Sequence, residues 1–325
     1  MASKTPRCLS ALISVLSVSS LIAQAQPQGY PAKTITIVVP FTPGTGADVI
    51  ARLLQPKLAE HLKVPVVIEN KVGASGAIGT ELVAKAAPDG YTLLFTATSH
   101  GTLPAMKRSL PYDAVKSFAP VALAATSAMS FVVGPQVPAA TMAEFVALAK
   151  KSPGTLYYSS PGAGSIQNLA MELVKIENGI DVVHVPYKGS AGAATDLVGG
   201  HVQATVAAVQ TMAPFVTSGR LKMFAVLSNE RSPAFPDVPT MKELGHSGLV
   251  VDTWYGIYAP TGTPREIIAR LNGEANALLQ SPEIRDAFAK QGMTPVVDRP
   301  ERLAELVDKE IARWNRVVAR AGIQE

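Results

Sequence analysis

Apolar and polar positions fall in short blocks that switch between strand and helix period. Ile35-Thr36-Ile37-Val38-Val39 is an apolar run of strand length, stopped by Pro43, Gly44 and Gly46. Behind it Ile50, Leu53, Leu54 and Leu58 recur on one helical face, with Pro56 inside the pattern as a kink candidate. Residues 64–68 read as the next strand, 70–79 as a glycine-rich loop, 81–87 as a short helix and 91–97 as a strand. A second set starts after Pro120. Residues 121–125 and 131–133 are strand-like, and Thr141 with Glu144 forms a capping box that opens a helix. Residues 156–159 form a strand broken by Pro161, Gly162 and Gly164. Ile166, Leu169, Ala170, Leu173 and Val174 then make another helical face, and 182–185 another strand. The last third adds strands at 223–227 and 253–259, a proline-rich turn at 232–239, and a helix that Pro264 starts at its favoured first position. A final helix covers 301–319, with Leu303, Leu306, Val307 and Ile311 on one face.

Strands alternating with helices predict an α/β fold with largely parallel sheets. The order strand, Pro-Gly-x-Gly, amphipathic helix, strand occurs twice, which predicts two similar units with one half-site each. A sheet that starts a domain and a tail that closes it predict a discontinuous first domain, residues 26–126 with 249–325. Residues 127–248 form the second, and the chain crosses between them twice.

Length changes little in this picture: 325 residues at 47% hydrophobic suffice for two cores. The N-terminus changes more. Lys4 and Arg7 precede a small, apolar stretch at 9–22, and Ala23-Gln24-Ala25 has the small-x-small form of a cleavage site. Residues 1–25 therefore read as an export signal cut after Ala25. Cys8, the sole cysteine, precedes the apolar stretch and is not placed for a lipid anchor. Without the leader, 29 basic residues become 27 against 25 acidic ones, so the net charge falls from +4 to +2. A cysteine-free mature chain excludes thiol catalysis, cysteine-zinc sites and disulfides. No basic cluster with interleaved aromatics points to nucleic acid.

The two glycine loops are the candidate chemistry. A glycine turn between strand and helix lets a ligand approach the backbone, and the first helical N–H groups lack internal acceptors. With the helix dipole, such a loop holds an anion without a basic side chain. Thr45, Ser165 and Asn168 can add hydrogen bonds, whereas Asp48 caps or orients its own loop, because a bare carboxylate repels an anion. Neither loop is a dinucleotide fingerprint, since Val49 and Gln167 stand where the third glycine belongs. There is no P-loop, no Gly-x-Ser-x-Gly elbow and no spaced histidine pair, so no cofactor or metal is expected. Thr98-Ser99-His100 follows a strand and is placed to line a cleft. Tyr187-Lys188-Gly189 either presents a phenol and an ammonium to an anion or is a solvated turn. Trp254 and Tyr255 read as core or junction residues, and Trp314 as structural.

These residues resemble a known family. The matching stretches include Ile37-Val38-Val39-Pro40-Phe41 with Pro43-Gly44, Val67-Ile68-Glu69-Asn70, Ala87-Pro88-Asp89-Gly90-Tyr91 and Leu110-Pro111-Tyr112-Asp113. Ser160-Pro161-Gly162, His184-Val185-Pro186-Tyr187-Lys188-Gly189 and Pro236-Asp237-Val238-Pro239-Thr240 continue the match along the chain. The chain is similar to the substrate-binding proteins of tripartite tricarboxylate transporters, the Bug family. The resemblance implies a periplasmic-binding-protein type II fold, with two α/β domains, a hinge crossed twice and a ligand cleft between them. It implies a monomer that captures a small carboxylate, dicarboxylate or aromatic, and delivers it to membrane permease subunits. A sensor component or an exported hydrolase are the competing readings. Carried over, the binding walls are Phe41, Gly44, Thr45, Gly46 and Asp48 against Ser160, Gly162, Gly164, Ser165 and Asn168, with Thr98, Ser99, His100 and Tyr187 beside them. The chain departs from many relatives at Thr45, Ala47, Asn168 and Ala207-Ala208. The last change removes a polar pair near the expected hinge and predicts a bulkier or partly apolar acid.

Overall fold

The structure, a computed structural model, describes residue 1, residues 29–106 and residues 109–321. The expected leader and its cleavage point at Ala25 lie outside the described residues. The first unit runs β1 (Ile35–Val39), α1 (Gly46–Leu62), β2 (Val66–Asn70), a 3-10 turn (Ala74–Gly76), α2 (Ala77–Ala84), β3 (Thr92–Ala97) and α3 (Ser99–Met106). After β4 (Phe118–Val133) and α4 (Met142–Lys151) the pattern returns as β5 (Tyr157–Ser160), α5 (Ile166–Asn178), β6 (Val183–Pro186), α6 (Ser190–Gly199), β7 (Ala204–Ala208) and α7 (Val209–Thr217). The chain closes with β8 (Lys222–Val226), β9 (Asp252–Pro260), α8 (Arg265–Gln280), α9 (Pro282–Ala289), β10 (Met293–Pro295) and α10 (Pro300–Ala321).

Pairing makes the repeat explicit. β1 lies parallel between β2 and β3, as β5 lies parallel between β6 and β7. Each trio meets an antiparallel neighbour, β9 beside β3 and β4 beside β7. The strand order is β2-β1-β3-β9-β4-β7-β5-β6, with β8 and β10 pairing β4 off this path. Parallel trios put the N-termini of the helices that follow their strands at the same edge of the sheet.

The two strand-like stretches expected at 121–125 and 131–133 are one strand. β4 keeps pairing through Thr126 to Ser130 because its hydroxyls are satisfied in place. Ser130 Oγ donates to the Ala207 carbonyl at 2.9 Å, and Ser127 Oγ to Gln210 Oε1 at 2.5 Å. From Phe118 to Ala128 the strand pairs with β9, and from Met129 onward with β7 and β8. It therefore carries the chain from one half to the other. The return passes Val251, whose N–H donates to the Leu227 carbonyl at 2.6 Å, while Leu227 N–H donates to Met129 at 2.7 Å.

Separate cores fill the halves. α1 seats Ile50, Leu54 and Leu58 against β1, β3 and β9, and α5 seats Leu169, Met171 and Val174 against β4, β5 and β7. α10 belongs to both. Leu303 and Val307 pack in the first half, but Trp314 is fully buried with Phe131 and Phe145 in the second. Pro264 caps α8 instead of opening it, whereas Pro282 takes the first turn of α9.

Candidate functional site

A cavity of about 450 Å³ lies between the halves. Six helices bring their N-terminal ends to it: Thr45 to Ala47 at α1, Ser75 and Gly76 before α2, Ser99 of α3, Ser165 to Gln167 at α5, Ser190 of α6, and Ala208 with Thr211 at α7. The first turn of a helix has N–H groups without internal acceptors. Elsewhere the chain caps such ends, with Thr141 on α4 and Ser281 on α9. At α1, α2, α6 and α7 no side chain does so. At α5 Ser165 Oγ does, accepting from Asn168 N–H at 3.3 Å. Among the described residues the lining contains no carboxylate, and its one charged side chain is the exposed Lys188.

The two glycine loops share one hydrogen-bond scheme. Gly44 and Gly164 take positive φ, +81° and +76°. Gly44 N–H donates to Asp48 Oδ2 at 2.9 Å, and Gly164 N–H to Asn168 Oδ1 at 3.2 Å. Thr45 Oγ1 donates to the Thr42 carbonyl at 2.9 Å, and Ser165 Oγ to the Gly162 carbonyl at 2.7 Å. Gly44 thus corresponds to Gly164, and Asp48 to Asn168. The Pro-Gly-x-Gly spacing predicts Gly46 as the match of Gly164, two residues away. What repeats is a left-handed glycine before an N-cap hydroxyl, not the dipeptide spacing.

Asp48 is buried and touches its own loop, not the cavity. Burial would raise its carboxyl, but hydrogen bonds from Arg52, the Gly44 N–H and Asn70 outweigh that and hold it below the usual carboxylate range. Arg52 Nε lies 3.0 Å away and Asn70 Nδ2 2.9 Å. Asn168 Nδ2 donates to Tyr158 OH at 2.8 Å, and Tyr158 OH to Glu172 at 2.6 Å. A chain of bonds thus braces each loop from behind.

Phe41, Thr45, Gly46, Ser99, Gly162, Ser165 and Tyr187 line the cavity; the buried Asp48, Thr98, Ser160, Gly164 and Asn168 stand behind it as supports, and Gly44 is exposed outside the lining. Thr98 Oγ1 accepts from Trp254 N–H at 2.8 Å and ties β3 to β9. Ser160 Oγ contacts His184 Nε2 at 2.6 Å and Gly162 N–H at 3.1 Å, but it is fully buried. Burial lowers the His184 pKa.

Two expectations are corrected. His100 does not line the cleft. It is buried, its Nε2–H donating to the Ala114 carbonyl at 2.8 Å and its ring set against Phe118 and Tyr258. Burial pushes its pKa down to about 4 against that bond. The Tyr187 phenol is not offered to a ligand either, since it donates to Asp196 at 2.6 Å. Burial and then Asp196 push it up to about 12, and only the rest of the residue lines the wall.

Sequence reasoning missed Ser75, Thr211, Thr253 and the cavity role of Tyr255. Tyr255 hydroxyl accepts from Gln210 Nε2, and a Cβ at Gly46 would collide with both. That contact, not chain flexibility, is what requires glycine there.

The chain matches the profile of the tripartite tricarboxylate transporter family receptor over residues 50–323. It is 36% identical over 318 residues to protein BugT of Bordetella pertussis, covering 97% of this chain and 98% of BugT. A structure of an R. palustris protein with adipate superposes with a TM-score of 0.88 at 34% identity, covering 91% of this chain and 99% of that one. MatC from Rhodopseudomonas palustris with bound malate gives 0.84 at 34% identity, covering 89% and 100%.

Proposed function

The chain belongs to the tripartite tricarboxylate transporter receptor family, the periplasmic solute-binding proteins of these transporters, and on that premise we propose that its solute is an organic carboxylate gripped by backbone N–H groups. One observation carries this reading: six helix N-termini meet at one cavity whose lining, among the described residues, has no carboxylate. Anions are favoured at such ends by both the open donors and the helix dipole. Adipate and malate in two close structural relatives support the same class.

The grip divides between the walls. The amides at Gly46 and Ala47 meet the acid from one side and those at Ile166 and Gln167 from the other. Capture then holds the halves closed, with strand crossings near Ala128–Met129 and Val251–Asp252 as the hinge. Export with cleavage after Ala25, the division at 26–126 with 249–325 and 127–248, monomeric action and docking on permease subunits complete the reading. α10 modifies the division, because its Trp314 end is seated on the second half. Ala208 puts a methyl group on the wall, so an acid with an apolar body fits better than a small hydroxy acid.

A thermal-shift panel on the chain from Gln26 tests this with adipate, malate, benzoate and the neutral adipamide. An acid at 100 times its Kd stabilises by about 2.7 kcal/mol, a shift of a few degrees. Adipamide is expected to give none. Equal shifts with adipamide and adipate would sink the anion grip.

A further inference from the structure

Four consecutive residues at the cavity have positive φ: Gly73 at 142°, Ala74 at 47°, Ser75 at 56° and Gly76 at 100°. Glycine is the residue of least cost in such backbone, yet the two central positions carry side chains. Strain of this kind persists where surrounding contacts hold it. The holding contact lies on the opposite wall: Ser75 Oγ donates to the Ala163 carbonyl at 3.0 Å. Gly162 makes room for it, since a Cβ there would stand 2.9 Å from Ser75 Oγ. Ser75 is half-buried and Ala163 exposed, so the bond sits at the mouth of the cleft. A second bond reaches this loop from α3, Thr102 Oγ1 to the Gly164 carbonyl at 2.8 Å, and it is deep and fully buried.

We propose that Ser75 is a positioning residue, the latch that closes the cleft mouth by binding the Ala163 carbonyl across the two walls. The turn around it lines the cavity, so closing the latch also covers the occupant. The hydroxyl, and not the backbone shape alone, makes the contact. Its use in solute retention rests on the capture reading, but the bond itself does not.

Hydrogen–deuterium exchange on the ligand-free chain from Gln26 tests the latch, comparing the parent protein with S75A and S75G. S75A keeps a side chain in the left-handed turn and loses the hydroxyl, whereas S75G loses the hydroxyl and relaxes the turn. Residues 73–76 and 161–165 are expected to exchange faster together in both variants, by about fivefold, the factor one net hydrogen bond supports. Peptides from α1 and β4 should keep their parent rates. Parent-rate exchange of 161–165 in S75A overturns the proposal. So does recovery of protection in S75G, or a parent protein with both segments unprotected. No acid is present, so failure of the latch leaves the carboxylate reading standing, and failure of acids to bind leaves the latch result intact.

Discussion

Asp48 and Asn168 occupy equivalent places, yet one is charged and the other is not, and their surroundings account for it. Asp48 meets the Arg52 guanidinium, which a carboxylate can pair, while Asn168 must both accept from Gly164 and donate to Tyr158. Asp48→Ala leaves those donors without an acceptor and is expected to cost about 2 kcal/mol in urea unfolding. Asp48→Asn should recover part of it, because an amide oxygen still accepts from Gly44. His100 predicts a pH effect of definite sign. Its pKa is near 4 when folded and about 6.5 when unfolded, so below pH 6.5 the unfolded chain binds a proton that the folded one refuses. Stability from this group is complete above pH 6.5 and falls by up to about 3 kcal/mol towards pH 4. His100→Gln, which retains a donor for Ala114, should show a flatter fall between those values. At this scale the sequence exposes roles within a loop, such as Asp48 turning inward on its own glycine. It hides roles set by distant packing: nothing near His100 announces that Phe118 and Tyr258 enclose it.

Among the elements, α1, α5 and α10 were legible because leucine, isoleucine or valine recur at helical spacing, and α4 because Thr141 and Glu144 form a capping box. α6 was not, since Ser190–Gly199 marks its buried face mainly with alanines and one leucine. α3 carries Gly101 and Pro104, and α7 follows β7 with no turn residue between Ala208 and Val209. These three supply half of the helix ends at the cavity, so the glycine loops revealed the nature of the site but only part of its wall. The open end of α7 makes a prediction. Ala208 has extended backbone suited to an N-cap but no side chain to cap with. Ala208→Asn should stabilise the ligand-free protein by about 1 kcal/mol, measured by denaturation. It should also narrow the cavity and raise the affinity for malate relative to adipate. An unchanged ratio would mean that Ala208 does not shape selectivity.

For the molecule as a whole, β4 and α10 matter most, because each serves both halves. Periodicity revealed both, but not their reach. β4 looked like two strands because Thr126, Ser127 and Ser130 interrupt its apolar run, and Trp314 gave no sign of leaving the first core. Trp314→Ala should cost about 3–5 kcal/mol, the range for emptying a large core position. Hydrogen exchange should rise in α5 and β4 before it rises in α1, since the cavity opens in the second core. The central claim is that the acid is held by backbone donors at helix ends, and a crystal structure with the panel's strongest acid tests it most directly. The account predicts carboxylate oxygens about 2.7–3.2 Å from the amide nitrogens of Gly46 or Ala47 and of Ile166 or Gln167. A carboxylate paired with Lys188 at the rim, with those four amides facing hydrocarbon, would contradict it.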